Sequence, residues 1–218
     1  GTQLTMRTFH IGGAASVSDN SVVESANNGK VAYVNGNVIK NSAGTLMVMG
    51  RNMQIAVTTD DGKELEVHKV SYGSKVFVED GAAISRGDKI NEWDPYSEPI
   101  LTEVSGTVKL VDMIDGVSVR EETDEETGIT SKVIVDWRSS AKGGELQPMV
   151  IIHGEDGEPM KTESGNIASY MLVVGATLSV NDDDKVHAGD SVARIAKGYT
   201  QRDLAWRLGV KEQQVQRY

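Results

Sequence analysis

Two stretches of this chain repeat one another without a gap. Tyr72-Gly-Ser-Lys-Val-Phe-Val-Glu-Asp-Gly-Ala-Ala-Ile-Ser-Arg-Gly-Asp-Lys-Ile90 aligns with Val174-Gly-Ala-Thr-Leu-Ser-Val-Asn-Asp-Asp-Asp-Lys-Val-His-Ala-Gly-Asp-Ser-Val192, every position offset by 102. Gly73 falls on Gly175, Val76 on Leu178, Val78 on Val180 and Asp80 on Asp182. Ile84 then falls on Val186, Gly87 on Gly189, Asp88 on Asp190 and Ile90 on Val192. Glycines, turn aspartates and apolar positions recur in phase, so both stretches are expected to make the same turns and bury the same faces. A fainter echo joins Asn28-Gly-Lys-Val31 to Ser105-Gly-Thr-Val108 at an offset of 77, which leaves 25 extra residues in the second copy. Glu121-Glu-Thr-Asp-Glu-Glu-Thr-Gly128 and Ala141-Lys-Gly-Gly144 are the natural places for them. The pattern predicts two similar units, each with its own small core, joined near Asp94-Pro95-Tyr96-Ser97.

The local pattern is that of strands. Lys30-Val-Ala-Tyr-Val34, Thr45-Leu-Met-Val-Met49 and Met53-Gln-Ile-Ala-Val57 are apolar or alternating. Asn35-Gly36 and Asp61-Gly62 are tight-turn dipeptides, and the second is expected to join 53–59 to Glu64-Leu-Glu-Val67 as a hairpin. No long helical period competes, so the body reads as mainly β, with short α-helical segments at the two ends.

Charge divides the chain. Residues 196–218 carry Lys197, Arg202, Arg207, Lys211 and Arg217 against Asp203 and Glu212, a net of +3; the total of −10 therefore leaves −13 on residues 1–195. A body that acidic repels phosphate backbones and is a poor general nucleic-acid binder. No run of about 18 apolar residues is present to span a membrane, and the polar first residues do not read as a signal peptide. The absence of cysteine excludes disulfides and thiolate zinc sites and is compatible with a cytoplasmic location. A first residue of Gly rather than Met suggests a fragment or a processed chain.

At the N-terminus, Gln3, Met6, Arg7 and His10 stand at i, i+3, i+4 and i+7, on one face of a helix that Gly12-Gly13 would stop. An amide, a soft apolar group, a fixed cation and a side chain that titrates near neutrality suit a nucleoside triphosphate. The spacing is equally satisfied by an ordinary amphipathic helix whose His and Arg face solvent.

Gln3-Leu-Thr-Met-Arg-Thr-Phe-His-Ile-Gly-Gly13 resembles the first trigger helix of the β′ subunit of bacterial RNA polymerase. The repeated Gly…apolar-x-apolar…apolar-x-x-Gly-Asp pattern resembles the sandwich-barrel hybrid motif, two of which form the trigger-loop insertion of many Gram-negative β′ subunits. Trp93-Asp-Pro95, Pro99-Ile-Leu-Thr-Glu-Val-Ser-Gly106 and Asp112-Met-Ile-Asp-Gly116 also resemble that insertion. The resemblance covers roughly residues 1–195 and implies a division into a trigger helix (1–15), β modules at 16–97 and 98–196, and a tail (197–218). It implies that Met6 packs on the nucleobase, Gln3 contacts the sugar region, and Arg7 and His10 meet the triphosphate, with His10 as proton donor or positioning group. The implied function is a part of DNA-directed RNA polymerase, a nucleotidyltransferase, in which the insertion modulates trigger-loop folding, pausing and cleavage. The implied partners are the β, α, ω and sigma subunits, NTP, DNA template and RNA transcript, with no membrane. Mg2+ and Zn2+ belong to the parent enzyme and no metal is expected on this chain, which lacks the alternating aspartates that hold catalytic magnesium.

The tail departs from that pattern, because a second trigger helix should follow Ile195. Thr200-Gln-Arg-Asp-Leu-Ala-Trp-Arg-Leu-Gly-Val-Lys-Glu-Gln-Gln-Val-Gln-Arg-Tyr218 instead resembles helices two and three of a phage-repressor-type helix-turn-helix. That resemblance implies Lys211, Gln213, Gln214 and Arg217 on or near a groove-facing helix, and so an alternative function as a β-scaffold interaction module acting as a DNA-binding transcription regulator. A plain basic amphipathic tail is the other reading. Two short helices cannot bury enough apolar surface to stand alone, and one N-terminal helix of about ten residues is marginal in water without a partner.

Other signals weigh less. Arg86-Gly87-Asp88 aligns with Ala188-Gly189-Asp190, so Gly-Asp is the repeated element and a turn is expected. Asp182-Asp-Asp184 aligns with Asp80-Gly-Ala82 and reads as a solvated turn rather than a cation site. Met160-Lys161 lacks a counterpart in the first copy, which argues against a carrier lysine. His68, His153 and His187 lack metal-ligand spacing.

Overall fold

The computed structural model describes residues 21–123, 130–140 and 144–197. The expected end helices, with Gln3, Met6, Arg7 and His10 on one and Lys211, Gln213, Gln214 and Arg217 on the other, lie outside the described residues.

The first copy contributes β1 (Val22–Glu24), β2 (Gly29–Val34), β3 (Val38–Lys40), β4 (Leu46–Val48), β5 (Gln54–Thr58), β6 (Glu64–Lys69), β7 (Lys75–Val76), β8 (Ala83–Ile84) and β9 (Lys89–Glu92). The second contributes β10 (Ser97–Leu101), β11 (Gly106–Val111), β12 (Val119–Thr123), β13 (Thr130–Ile134), β14 (Met149–His153), β15 (Ser169–Met171), β16 (Ala176–Leu178), β17 (Lys185–Val186) and β18 (Ser191–Ala196). One 3-10 turn, Trp137–Ser139, lies between β13 and β14. The described residues are thus mainly β.

Each copy folds its nine strands into two antiparallel sheets. The orders are β1-β9-β7-β4-β3 and β6-β5-β2-β8 in the first, and β10-β18-β16-β13-β12 and β15-β14-β11-β17 in the second. Every strand n corresponds to strand n+9. The duplication therefore extends across the whole unit, beyond the stretch in which the sequence aligns.

Register fixes where the extra residues went. Gly29 corresponds to Gly106, Val38 to Val119, Val48 to Ile134, Val57 to Ile152 and Val76 to Leu178, so the offset climbs through 77, 81, 86, 95 and 102. The two expected insertion sites take only part of the difference. The β12–β13 hairpin and the β13–β14 connection are longer than their counterparts, and so are the β11–β12 and β14–β15 connections.

The cores match position for position. Val31, Val48, Ile55, Val57, Val70, Val76, Ile84 and Ile90 are buried in the first copy; Val108, Ile134, Val150, Ile152, Leu172, Leu178, Val186 and Val192 take their places in the second. Each such aliphatic contributes roughly 1.5–3 kcal/mol relative to exposure. Both copies also carry a β-bulge at one point, between Val23 and Glu24 and between Ile100 and Leu101.

The repeated Gly-Asp is a turn in both copies. Gly87 and Gly189 have φ of 90° and 86°, a conformation that side-chain-bearing residues rarely adopt. The Ser85 and His187 N–H groups each donate to the following aspartate at 2.8 Å. Arg86 is incidental to this geometry. Asp182 likewise accepts the Leu110 N–H at 2.8 Å, as Asp80 accepts that of Tyr33 at 2.8 Å. Asp183 pairs with Lys109 and Asp184 takes the Asn181 N–H at 2.6 Å, so the three aspartates are spent on turn and surface contacts.

Candidate functional site

The place where chemistry and architecture converge is the seam between the copies. Its centre is the linker Trp93-Asp94-Pro95-Tyr96-Ser97. The Tyr96 N–H donates to one Asp94 oxygen at 2.8 Å and the Ser97 hydroxyl to the other at 2.5 Å. Partial burial would raise the Asp94 carboxyl, but these bonds and the positive field of Arg194 outweigh it and hold the group below its ordinary range.

Both ends of the described body meet this linker. The Trp93 N–H donates to the Ser21 carbonyl at 2.8 Å, and the Lys197 N–H donates to the Tyr96 carbonyl at 2.8 Å. Three residues span at most about 11 Å, and paired strands lie about 5 Å apart, so the two exits are within about 20 Å. The chain enters and leaves the β body on the same side.

The copies are fastened by contacts that only one of each equivalent pair makes. Gly73 (φ 76°) lies so close to Pro99 that an added Cβ would sit 2.5 Å from its Cγ. The Leu101 N–H, at the bulge of β10, donates to the Tyr72 hydroxyl at 3.1 Å. Burial raises the Tyr72 phenol above its ordinary range, against the lowering effect of this bond. Gly189 is covered by Ile39 and Asn41, where its added Cβ would find carbons at 3.4 and 3.3 Å; at Gly87 nothing among the described residues lies within 4 Å. Asp190 accepts both the N–H and the hydroxyl of Ser42, at 3.1 and 2.7 Å. Partial burial works against the Asp190 charge, but the His187 N–H and Ser42 more than compensate and lower its carboxyl.

Between the copies runs a cleft of ≈ 580 Å³ lined by Trp93, Pro95, Tyr96, Pro99, Lys75 and Arg194, with Glu92 and Asp94 alongside. Its charges are mixed in sign, so it lacks the focused field that concentrates a polyanion. Among the described residues, no three His, Cys, Asp or Glu side chains converge to hold a metal ion. His68 pairs with Glu66 at 3.1 Å and the His153 Nδ1 lies 2.7 Å from the Gly157 carbonyl. Lys161 forms an isolated bridge with Ile167 at the base of the 162–166 turn rather than at its tip. No helix among the described residues is long and apolar enough to cross a membrane.

Ser42, Tyr72 and Asp190 were not legible as seam residues. Asp190 aligns with Asp88, and nothing in either stretch says which one acquires a neighbour. The available signal was Pro99, since a proline inside a strand points to an edge position. No protein-family model matches this chain.

Proposed function

We propose that the chain is a part of a bacterial RNA polymerase β′ subunit, comprising a first trigger helix and an insertion of two sandwich-barrel hybrid motifs. The observation that carries this reading is the shared seam, where Ser21 and Lys197 both meet residues 93–96. A body that leaves its host chain and returns to it at one place can hang from a mobile hairpin without splaying the hairpin's arms. The docking of the copies on one another through Tyr72, Gly73 and Asp190 supports it too, because docked units can transmit load to their attachment points. The acidity of the body suits an element that stays off the nucleic acid.

In this reading Met6 packs on the base and Gln3 contacts the sugar region. Arg7 pairs with phosphate oxygens, and His10 donates a hydrogen bond or proton to the leaving phosphate. The insertion sets how readily the helix folds against nucleotide, and through it pausing and transcript cleavage. Mg2+ chemistry belongs to other parts of the parent enzyme.

The test is to replace the matching segment of a bacterial β′ subunit, up to its own second trigger helix, with residues 1–197. The assembled enzyme is expected to elongate, His10→Ala to slow nucleotide addition, and deletion of 22–196 to change pause lifetime and transcript cleavage. An enzyme whose pausing and cleavage ignore that deletion overturns the reading. Duplex DNA shifted by the full chain in a salt-dependent way, and released on deleting 197–218, would favour the DNA-binding regulator instead.

A further inference from the structure

The fold is duplicated, yet the docking between the copies occurs once, which leaves a second docking face uncovered among the described residues. The first copy meets the second through the Ser71-Tyr72-Gly73 turn. Its equivalent in the second copy is Val173-Val174-Gly175, held by the same bond: Gly73 N–H donates to the Val48 carbonyl at 2.9 Å, and Gly175 N–H to the Ile134 carbonyl at 2.8 Å. At Gly73 an added Cβ would strike Pro99; at Gly175 (φ 85°) it would meet nothing within 4 Å among the described residues. Val173 and Val174 are 48% and 46% exposed, and Met171 on the neighbouring edge strand β15 is 69% exposed. These side chains, with Trp137 and Pro148, line a groove of ≈ 670 Å³.

We propose that this groove docks an extended, proline-bearing apolar segment of a partner protein, seated on Gly175 as Pro99 of β10 is seated on Gly73. The occupied copy supplies the template: a glycine at positive φ opens a shallow pit, and an edge-strand proline fills it because it has no N–H to leave unpaired. Val174 stands where Tyr72 stands, so the hydroxyl that receives the Leu101 N–H in the first copy is replaced by methyl groups. The seat itself is therefore apolar, with Arg138 and Gln147 on the groove wall and the edge strand β15 alongside for β-augmentation. Exposed Met171, Val173 and Val174 together mark an interaction surface on a chain so acidic elsewhere.

A second copy of this chain fits poorly. The strand that would enter the groove is β1, where Val22 corresponds to Pro99 and Glu24 to Leu101. That strand therefore brings no proline to the seat at Gly175, and two bodies carrying −13 each would repel.

The experiment titrates the full chain, isotopically labelled for NMR, with the acetylated and amidated peptide Tyr-Ser-Glu-Pro-Ile-Leu-Thr, the sequence of residues 96–102. Saturable shifts confined to Met171, Val173–Gly175 and the Trp137 indole are expected. Val174→Asp in the chain, or alanine for the peptide's proline, is expected to weaken binding by about 10-fold or more. Val173→Ser with Val174→Ser is the gentler variant, and unshifted core resonances show that each variant still folds. The proposal is overturned by absence of shifts at millimolar peptide or by shifts centred elsewhere. Self-association of the chain through this face, abolished by Val174→Asp, overturns it in favour of a second copy.

Discussion

The duplication supplies its own control for the seam, through Gly73→Ala and Gly175→Ala. Both glycines occupy the left-handed region, at φ 76° and 85°, so either alanine costs about 1–2 kcal/mol in backbone strain. At Gly73 the new methyl also lands 2.5 Å from Pro99 Cγ and 2.8 Å from its Cδ. That is more than 1 Å inside carbon–carbon contact, and both neighbours are held by backbone. Overpacking of this kind costs about 1–3 kcal/mol. Gly73→Ala is therefore expected to lose about 2–5 kcal/mol and Gly175→Ala about 1–2 kcal/mol, with the excess assigned to the seam. Urea unfolding followed by fluorescence and circular dichroism together measures both, and non-coincident curves would report the copies separately. Pro99→Ala removes the struck atoms, so the Gly73→Ala/Pro99→Ala pair is expected to be less damaging than the sum of its parts. Equal costs at the two glycines, with no rescue by Pro99→Ala, would refute the seam as described.

Asp190→Ala is expected to cost about 1 kcal/mol more than Asp88→Ala, because it loses the Ser42 bonds as well as the turn bond; a cycle with Ser42→Ala should show coupling above about 0.5 kcal/mol. Ser74→Ala is expected to stabilise the fold by about 1 kcal/mol in the same assay, since its hydroxyl is buried without a partner among the described residues and the equivalent position is Ala176. Burial raises the Glu66 carboxyl, yet bonds from Ser25, Ala26 and His68 win and lower it. With a folded value below the unfolded one, Glu66 contributes stability above the unfolded range near pH 4 that is lost as pH falls through the folded value. Glu66→Gln should flatten that acid limb, and an unchanged limb would contradict it. The purified chain is expected to incorporate no nucleotide, as measured by primer extension.

Local signals carried the fold class a long way. Alternating apolar residues at 30–34 and 53–57 became β2 and β5, and Asp61-Gly62 turned β5 back onto β6 in antiparallel register. Asn35-Gly36 shows the limit of such signals. It is a bend rather than a tight turn, with Asn35 at φ 52°, and it carries the chain from one sheet to the other, since β3 pairs with β4 and not with β2. A turn dipeptide specifies a reversal of direction, whereas the partner of the next strand is set by which face has a core to cover.

What the sequence determined by itself is the duplication, because backbone needs recur wherever a unit recurs. Gly73 and Gly175, Asp88 and Asp190, and the apolar positions between them are dictated by φ, by turn bonds and by burial, and each can be read without knowing what lies nearby. What only the tertiary structure decided is asymmetry. Asp190 fastens Ser42 while Asp88 caps its turn, and Gly73 holds Pro99 while Gly175 meets nothing among the described residues. Those differences come from contacts between residues 26 to 148 positions apart in the chain, at Gly73 with Pro99 and Ser42 with Asp190. No local propensity encodes them, because they exist only once two finished copies are packed side by side.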